Sequence, residues 1–337
     1  MAALSSCLDR TRPKLVDAFG RRLTYLRLSV TDRCNFRCQY CLPGGGRHRA
    51  AAPPLSVGEI AHLVRGFTEL GFSKVRLTGG EPTLRADILE IVSRVAATRG
   101  LAQVGMTTNG YRLRSIARDL SQAGLTSLNV SVDSLDPNRF AALTGCRRLQ
   151  DILDGVEAAL LAGIPRIKVN VVLLAGTDAG ELGRFLSWAR DTPLTVRFIE
   201  LMEIGHDPAF FRDNHVATAQ MERWLTGMGW NRLPAVAGEG PAVNYVHPGH
   251  RGRIGIIAPY QKGFCSTCNR LRVSAAGNLK LCLFDDREIP LRHLLHSDGQ
   301  RRALAELVRS AASGKPSSHL LAEGQRGRLE SLASIGG

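Results

Sequence analysis

The chain has 337 residues, of which 44% are hydrophobic and 22% charged, and it carries a formal net charge of +14. This composition excludes fibrous and disordered proteins and predicts one large α/β domain with an appendage, or two domains. No run approaches the ~18 apolar residues of a membrane-spanning helix, so we expect a cytoplasmic protein without a membrane partner. Because the basic residues do not cluster in a tail or arm, we also expect no nucleic-acid partner. The positive charge then either binds a small polyanion or lies on solvated faces.

Short β-branched runs alternate with amphipathic stretches over the first 201 residues. Ser56 is a predicted helix N-cap and Gly71 a predicted helix end, and a second such helix ends at Gly163. This alternation predicts parallel strands joined by crossover helices, in a partial or complete β/α barrel. The predicted strands cover residues 25–30, 74–79, 103–108, 127–133, 167–173 and 195–201.

Polar residues or glycines follow most of these strands. Gly80 and Glu81 follow the second strand, Asn109 the third, and Asp133 ends the fourth. Strands commonly end in turn residues, but in β/α barrels the carboxyl ends of the strands form the active face. After about residue 230 glycine and proline interrupt short apolar runs, which predicts a domain over residues 1–230 and a smaller, irregular one over 231–337.

Six of the eight cysteines form two closely spaced groups. We name these groups the first triplet, Cys34, Cys38 and Cys41, and the second triplet, Cys265, Cys268 and Cys282. A large cytosolic chain does not need a disulfide framework. Structural zinc needs a fourth ligand, which His247 or His250 could supply upstream of the second triplet. Cys7 and Cys146 have no partners in sequence and are interpreted as plain thiols.

Three thiols suit an iron-sulfur cluster better than zinc. A 4Fe-4S cluster has four irons, usually with one thiolate each, so three thiolates leave one iron open. An open iron can bind a molecule other than protein, and a cluster of this kind can take part in catalysis.

The motifs resemble those of a known family. "CNFRCQYC" and "LTGGEP" resemble the cluster and methionine-binding motifs of radical S-adenosylmethionine (SAM) enzymes. "TTNGYRL", "LNVSVDSLD", "FCSTCNRLRVS" and a terminal "SIGG" follow in the order found in the GTP 3′,8-cyclase family of molybdenum cofactor biosynthesis, whereas the loop over 44–54 departs from that pattern. The resemblance implies a partial (β/α)6 TIM-type barrel, the radical SAM core, with a smaller C-terminal iron-sulfur segment.

The resemblance also implies site residues. The first triplet would hold a 4Fe-4S cluster that binds SAM, and the second triplet would hold another that faces the guanine of GTP. The implied SAM contacts are Tyr40, Gly80, Ser131 and Met202. The implied substrate contacts are Arg27, Lys74, Arg76, Thr107, Lys168, Arg270 and Arg272, of which Arg27, Arg270 and Arg272 are also implied in catalysis. Arg197 is a weaker candidate for the same site, because it lies at a predicted strand end. The terminal Gly336 and Gly337 would reach the active site.

The implied reaction is a radical cyclisation by a lyase. A 5′-deoxyadenosyl radical would remove the ribose C3′ hydrogen of GTP, and C3′ would attack guanine C8 to give (8S)-3′,8-cyclo-7,8-dihydroguanosine 5′-triphosphate. The implied partners are an external electron donor and a downstream cyclic pyranopterin monophosphate synthase, and a homodimer is allowed. The alternatives are a peptide-maturing radical SAM enzyme, an RNA-binding zinc module and, for the Gly-Gly tail, a frayed end or a ubiquitin-like sulfur carrier.

Overall fold

One continuous sheet organises the molecule. The computed structural model describes residues 14–41, 52–204, 208–236, 240–324 and 332–335. Within these ranges twelve strands form a single sheet in the order β12-β11-β10-β1-β2-β3-β4-β5-β6-β9-β8-β7. Their bounds are β1 Tyr25–Ser29, β2 Lys74–Thr78, β3 Gln103–Thr108, β4 Ser127–Ser131, β5 Ile167–Leu173, β6 Thr195–Glu200, β7 Asn231–Arg232, β8 Val243–Val246, β9 Arg253–Ile257, β10 Arg270–Val273, β11 Asn278–Lys280 and β12 Ile289–Pro290.

Helices connect the first six strands, which are all parallel and neighbour one another in chain order. The helices are α1 Val57–Glu69, α2 Ile88–Ala96, α3 Leu113–Gln122, α4 Pro137–Thr144, α5 Leu149–Leu161, α6 Ala179–Asp191, α7 Pro208–Asn214, α8 Ala219–Gly227 and α9 Arg301–Ser313. The α/β class and the six β/α units are confirmed. The fourth strand ends at Ser131, two residues before its predicted end.

Local sequence signals explain where the helices begin and end. Ser56 caps α1 as predicted, and Glu59 completes a reciprocal capping box with it. Gly71 and Gly163 follow α1 and α5 with φ of +91° and +74°, a conformation that glycine adopts without strain.

The segment after residue 230 covers both edges of the six-stranded core. β10 pairs in parallel with β1, and β9 pairs in parallel with β6. β11 and β12 extend one side and β8 and β7 the other, all antiparallel. Both segments contribute strands to the same sheet, and the predicted division into residues 1–230 and 231–337 stays a prediction.

Alternation along the strands separates an apolar side from a polar one. Leu26, Leu28, Val75, Leu128 and Val130 belong to the hydrophobic core, together with residues from the surrounding helices. The residues between them in sequence line internal cavities, which places charged and polar groups inside the barrel. Among the helices in the described ranges, none is both long and apolar enough to cross a membrane.

Candidate active site

The first triplet lies in the loop that follows β1. The amide of Cys41 donates to the Cys38 carbonyl oxygen at 3.0 Å, and the side-chain amide of Asn109 lies 3.9 Å from the Cys34 sulfur. All three are free thiols. Burial raises the pKa of each thiol, that of Cys41 to about 12, where an ionised Cys34 opposes ionisation further. Three thiolates at this place therefore need a cationic group such as the irons of a cluster.

The glycine turn after β2 packs against the backbone of this loop. The amide of Gly80 donates to the Thr31 carbonyl oxygen at 2.8 Å, and Gly79 has a φ of +133°. A Cβ atom on Gly80 would lie 2.3 Å from the carbonyl oxygen of Arg33. Contact with the cysteine loop is thus one reason for glycine here, and the implied contact between Gly80 and SAM stays a prediction.

Glu81 ties the end of β2 to the end of β3. Its fully buried carboxylate accepts hydrogen bonds from the amide and hydroxyl of Thr83 at 2.9 and 2.6 Å. It also accepts from the Thr108 hydroxyl at 2.7 Å and from the Asn109 amide at 2.6 Å. Burial raises the pKa of Glu81, although the four hydrogen bonds favour the ionised form. The sequence marked Glu81 as polar but did not show this structural role.

A cavity of about 160 Å³, which we name the first cavity, adjoins the first triplet. It is lined by all four residues that the resemblance assigns to SAM: Tyr40, Gly80, Ser131 and Met202. The Tyr40 hydroxyl donates to the Asp133 carboxylate at 2.7 Å, and the Val172 amide donates to the same carboxylate at 2.9 Å. Burial raises the pKa of Asp133 to about 6. Its two-residue spacing from Ser131 was the sequence signal for its place in this cavity.

The described C-terminal residues reach the same cavity. Leu332 lines it, and Ile335 is buried against Leu283 with Met202 beside them. The predicted role of Gly336 and Gly337 lies outside the described residues, as do Cys7 and most of the loop over 44–54.

The second triplet surrounds β10 and β11. Cys265 and Cys268 precede β10, with the amide of Cys268 donating to the Cys265 carbonyl oxygen at 3.1 Å, and Cys282 follows β11. Burial raises the pKa of Cys265. Burial also opposes ionisation of Cys268, but the charges of Arg270 and Lys315 outweigh it and lower the pKa to about 7.

Arg21 fastens the segment after α9 against the second triplet. Its guanidinium donates to the carbonyl oxygens of Cys265 at 3.1 Å, Pro316 at 2.6 Å and Ser317 at 2.9 Å. Lys315, which directly precedes Pro316, is buried, and its ammonium donates a hydrogen bond to the carbonyl oxygen of Leu281. No sequence motif marks Arg21 or Lys315 as site residues, because their roles depend on contacts with distant parts of the chain.

A second cavity of about 160 Å³, which we name the cation cavity, is lined by the second triplet and by eight cationic side chains. These are Arg27, Lys74, Arg76, Lys168, Arg197, Arg270, Arg272 and Lys315. Arg272, Arg27 and Arg76 are register partners on three adjacent parallel strands. Seven of the eight were sequence candidates. The other predicted substrate contact, Thr107, lines the first cavity instead.

The cation cavity has a surplus of positive charge. Burial, together with the like charge of Arg76, lowers the pKa of Arg27 to about 10 and that of Arg197 to about 9. Burial opposes ionisation of Tyr25, but the charges of Arg76, Arg27 and Lys74 outweigh it and lower the pKa to about 7. An anion with several charges would relieve this repulsion, as a triphosphate can.

The two cavities adjoin. Asn170, Ile199 and Met202 line both of them. The Asn170 side-chain oxygen accepts two hydrogen bonds from the Arg197 guanidinium, at 2.6 and 3.1 Å. The site is therefore an elongated space with one cysteine triplet toward each end and cations beside the second.

The histidines considered for zinc lie elsewhere. His247 and His250 pack edge to face against each other and tilted against Trp230, with ring centroids 4.5–5.5 Å apart. Among the described residues no three His, Cys, Asp or Glu side chains are arranged to hold a metal ion. A cluster spreads its thiolates over separate irons and does not need them to converge on one ion. Cys146 is buried in the hydrophobic core.

Two family models match successive parts of the chain: the Radical SAM superfamily over residues 28–189 and Molybdenum Cofactor Synthesis C over residues 194–321. The chain is 51% identical over 328 residues to a protein of Aeromonas hydrophila named GTP 3′,8-cyclase, covering 96% of each chain. It is 48% identical over 327 residues to a protein of the same name from Actinobacillus pleuropneumoniae, again covering 96% of each.

Solved structures show the same fold at low sequence identity. Streptococcus suis SuiB bound to S-adenosylmethionine matches with a TM-score of 0.61 and 13% identity, covering 86% of this chain and 68% of that one. Native anSMEcpe with bound AdoMet matches with a TM-score of 0.56 and 13% identity, covering 84% and 83%.

Proposed function

The chain belongs to the GTP 3′,8-cyclase family of radical SAM enzymes, and from this premise we propose how its residues divide the work of the reaction. The enzyme is a lyase that converts GTP to (8S)-3′,8-cyclo-7,8-dihydroguanosine 5′-triphosphate, the first step of molybdenum cofactor biosynthesis. Two 4Fe-4S clusters and SAM supply, when bound, the radical chemistry, in which a 5′-deoxyadenosyl radical removes the ribose C3′ hydrogen and C3′ attacks guanine C8.

The first triplet and the first cavity would hold a cluster and SAM. The donor set fits, because three thiols that have no disulfide partner among the described residues line a cavity together with the four predicted SAM contacts. The buried carboxylate of Asp133 orients Tyr40 at 2.7 Å. The apolar wall formed by Phe36, Ile204 and Leu332 would limit the access of water to a reactive radical.

The second triplet and the cation cavity would hold the second cluster and GTP. Burial lowers the pKa of Arg272 well below its usual range, and the like charges of Arg27 and Arg270 lower it further. Because the triphosphate neutralises this repulsion, these three arginines would bind it strongly and fix its position. With guanine at the second triplet, anchoring at both ends holds C3′ and C8 close enough to react.

This proposal rests on one observation: the two cavities meet at Asn170, Ile199 and Met202, which line both of them. SAM held in the first cavity would therefore lie next to a substrate held in the cation cavity, inside the barrel. The proposal includes an external electron donor, transfer of the product to a cyclic pyranopterin monophosphate synthase and a homodimer, as well as a division of the chain near residue 230.

Anaerobic reconstitution with iron and sulfide, followed by incubation with SAM, GTP and dithionite, tests the assignment. Mass analysis should find 5′-deoxyadenosine together with an isomer of GTP. Cys268→Ala should retain SAM cleavage and lose the isomer, whereas Cys38→Ala should lose both products. Cyclised product from the Cys268 variant would contradict the division between the triplets. Deoxyadenosine with unchanged GTP in the wild-type enzyme would favour the peptide-maturing alternative.

A further inference from the structure

Two buried polar atoms between the cavities have no hydrogen-bond partner among the described residues. They are the side-chain oxygen Oδ1 of Asn129 and the hydroxyl oxygen of Thr107. Asn129 is only 4% exposed. A buried acceptor without a partner destabilises a fold, so such atoms are rare unless a ligand or water satisfies them. Their position therefore indicates a binding function.

Asn129 and Thr107 are register partners on the adjacent parallel strands β4 and β3. Asn129 lines the cation cavity, whereas Thr107 lines the first cavity. Two residues earlier on β4, Ser127 accepts a hydrogen bond from Arg76 at 2.9 Å, and two residues later Ser131 lines the first cavity. The pair thus lies between the cations and the predicted SAM contacts.

The proposed function, on which this inference rests, requires the sugar of GTP at that place. Guanine and triphosphate are held in the cation cavity, and C3′ must face the first cavity to lose its hydrogen. A ribose carries two adjacent hydroxyl groups, each able to donate and to accept a hydrogen bond. An Asn side chain can both accept and donate, and so can a Thr hydroxyl.

We propose that Asn129, with Thr107 beside it, binds the ribose hydroxyls of GTP and thereby turns C3′ toward the first cavity. Asn129 is then a substrate-positioning and specificity residue that distinguishes GTP from 2′-deoxy-GTP. The adenosyl group of SAM contains the same pair of hydroxyls, but Asn129 lines the cation cavity, which favours the sugar of GTP.

The experiment compares the binding of GTP and 2′-deoxy-GTP to the cluster-loaded enzyme by anaerobic calorimetry, without reductant. The wild type should bind GTP about 10- to 100-fold more tightly, because the analogue leaves a buried polar group unpaired. Asn129→Leu, which has a similar size, should lose most of its affinity for GTP and little for the analogue, so that the preference disappears. Asn231→Leu, on the exposed strand β7, should keep it.

A turnover assay tests the role of Asn129 independently of binding. Because Asn129 turns C3′ toward the radical, Asn129→Leu should release more 5′-deoxyadenosine per molecule of cyclised product than the wild type does. The affinity for SAM should not change. A lower SAM affinity with an unchanged preference for GTP would overturn the inference and assign the hydroxyls to SAM.

Two results separate the inference from its premise. A wild-type enzyme that cyclises GTP but binds 2′-deoxy-GTP equally well would refute the role of Asn129 while leaving the proposed function intact, and this comparison needs no variant. A wild-type enzyme that neither binds nor cyclises GTP would remove the proposed function itself.

Discussion

Tyr25→Phe should change the pH dependence of GTP binding. The Tyr25 hydroxyl accepts a hydrogen bond from Arg76 at 2.8 Å, and the Lys74 ammonium lies 4.6 Å from its ring centroid. The charges that face it come from Arg27 on β1, Lys74 and Arg76 on β2, Arg197 on β6 and Arg270 on β10. Because the phenol lies among these cations with a pKa of about 7, we expect it to be largely ionised at pH 8.

The magnitude follows from that pKa. A shift from 10.0 to about 7 corresponds to about 4 kcal/mol between the protonated and ionised forms. A bound triphosphate adds negative charge beside the phenolate, so its pKa rises again and GTP binding takes up a proton. Raising the pH through 7 ionises Tyr25 in the free enzyme, and the affinity for GTP should then fall roughly tenfold between pH 6 and pH 8.

Calorimetry in two buffers with different ionisation enthalpies measures both the affinity and the protons taken up. The wild type should take up about one proton per GTP at pH 8, whereas Tyr25→Phe should lose this uptake and the tenfold fall. The titration of GTP itself contributes equally to both proteins. Tyr111→Phe is the matched control, since that hydroxyl instead accepts from Arg148 at the surface. A Tyr25→Phe enzyme with the wild-type pH dependence would refute the reasoning.

Three further variants test other contacts. Glu81→Gln weakens four buried hydrogen bonds and should lower the free energy of unfolding in urea by about 2–4 kcal/mol; a loss below ~1 kcal/mol would contradict the structural role. Gly80→Ala places a Cβ atom 2.3 Å from a loop carbonyl oxygen and should roughly halve the iron bound after reconstitution. Gly183→Ala, whose Cβ atom would meet no atom of the described residues within 4 Å, should leave the iron unchanged, and equal iron contents in the two variants would contradict the role of this close contact. Arg76→Lys keeps the charge but loses the three hydrogen bonds that the guanidinium donates, so the affinity for GTP at equilibrium should fall by ~10-fold or more while SAM cleavage is retained. An unchanged affinity for GTP would exclude a contribution of these hydrogen bonds.

The parts of the fold that depend on short-range patterns could be predicted from the sequence. Six β-branched runs located β1 to β6, and Ser56, Gly71 and Gly163 marked helix ends because capping and positive φ are local requirements. The motifs of the family likewise located the cysteine triplets and the cationic residues that the structure brings together.

The contacts between distant segments could not be predicted in this way. Alternation shows which side of a strand Asn129 or Asn170 faces. It does not show that Oδ1 of Asn129 lacks a hydrogen-bond partner among the described residues, or that Asn170 lines two cavities. Lys315 is one lysine in an irregular segment until the fold places it beside Cys268. Asp133 was recognised as polar, but its hydrogen bond to Tyr40 joins residues 93 positions apart.

The parallel pairing of β10 with β1 also bears on how the chain is made in the cell. Thr24 and Asn269, at the start of that pairing, are 245 residues apart in sequence. At ~5–20 residues per second, a ribosome needs roughly 12–50 s to make the intervening chain. During that time one side of β1 has no strand to pair with, and an unpaired strand edge can pair with another chain. We therefore expect overproduced protein to aggregate during synthesis unless a chaperone covers β1 until β10 has left the ribosome.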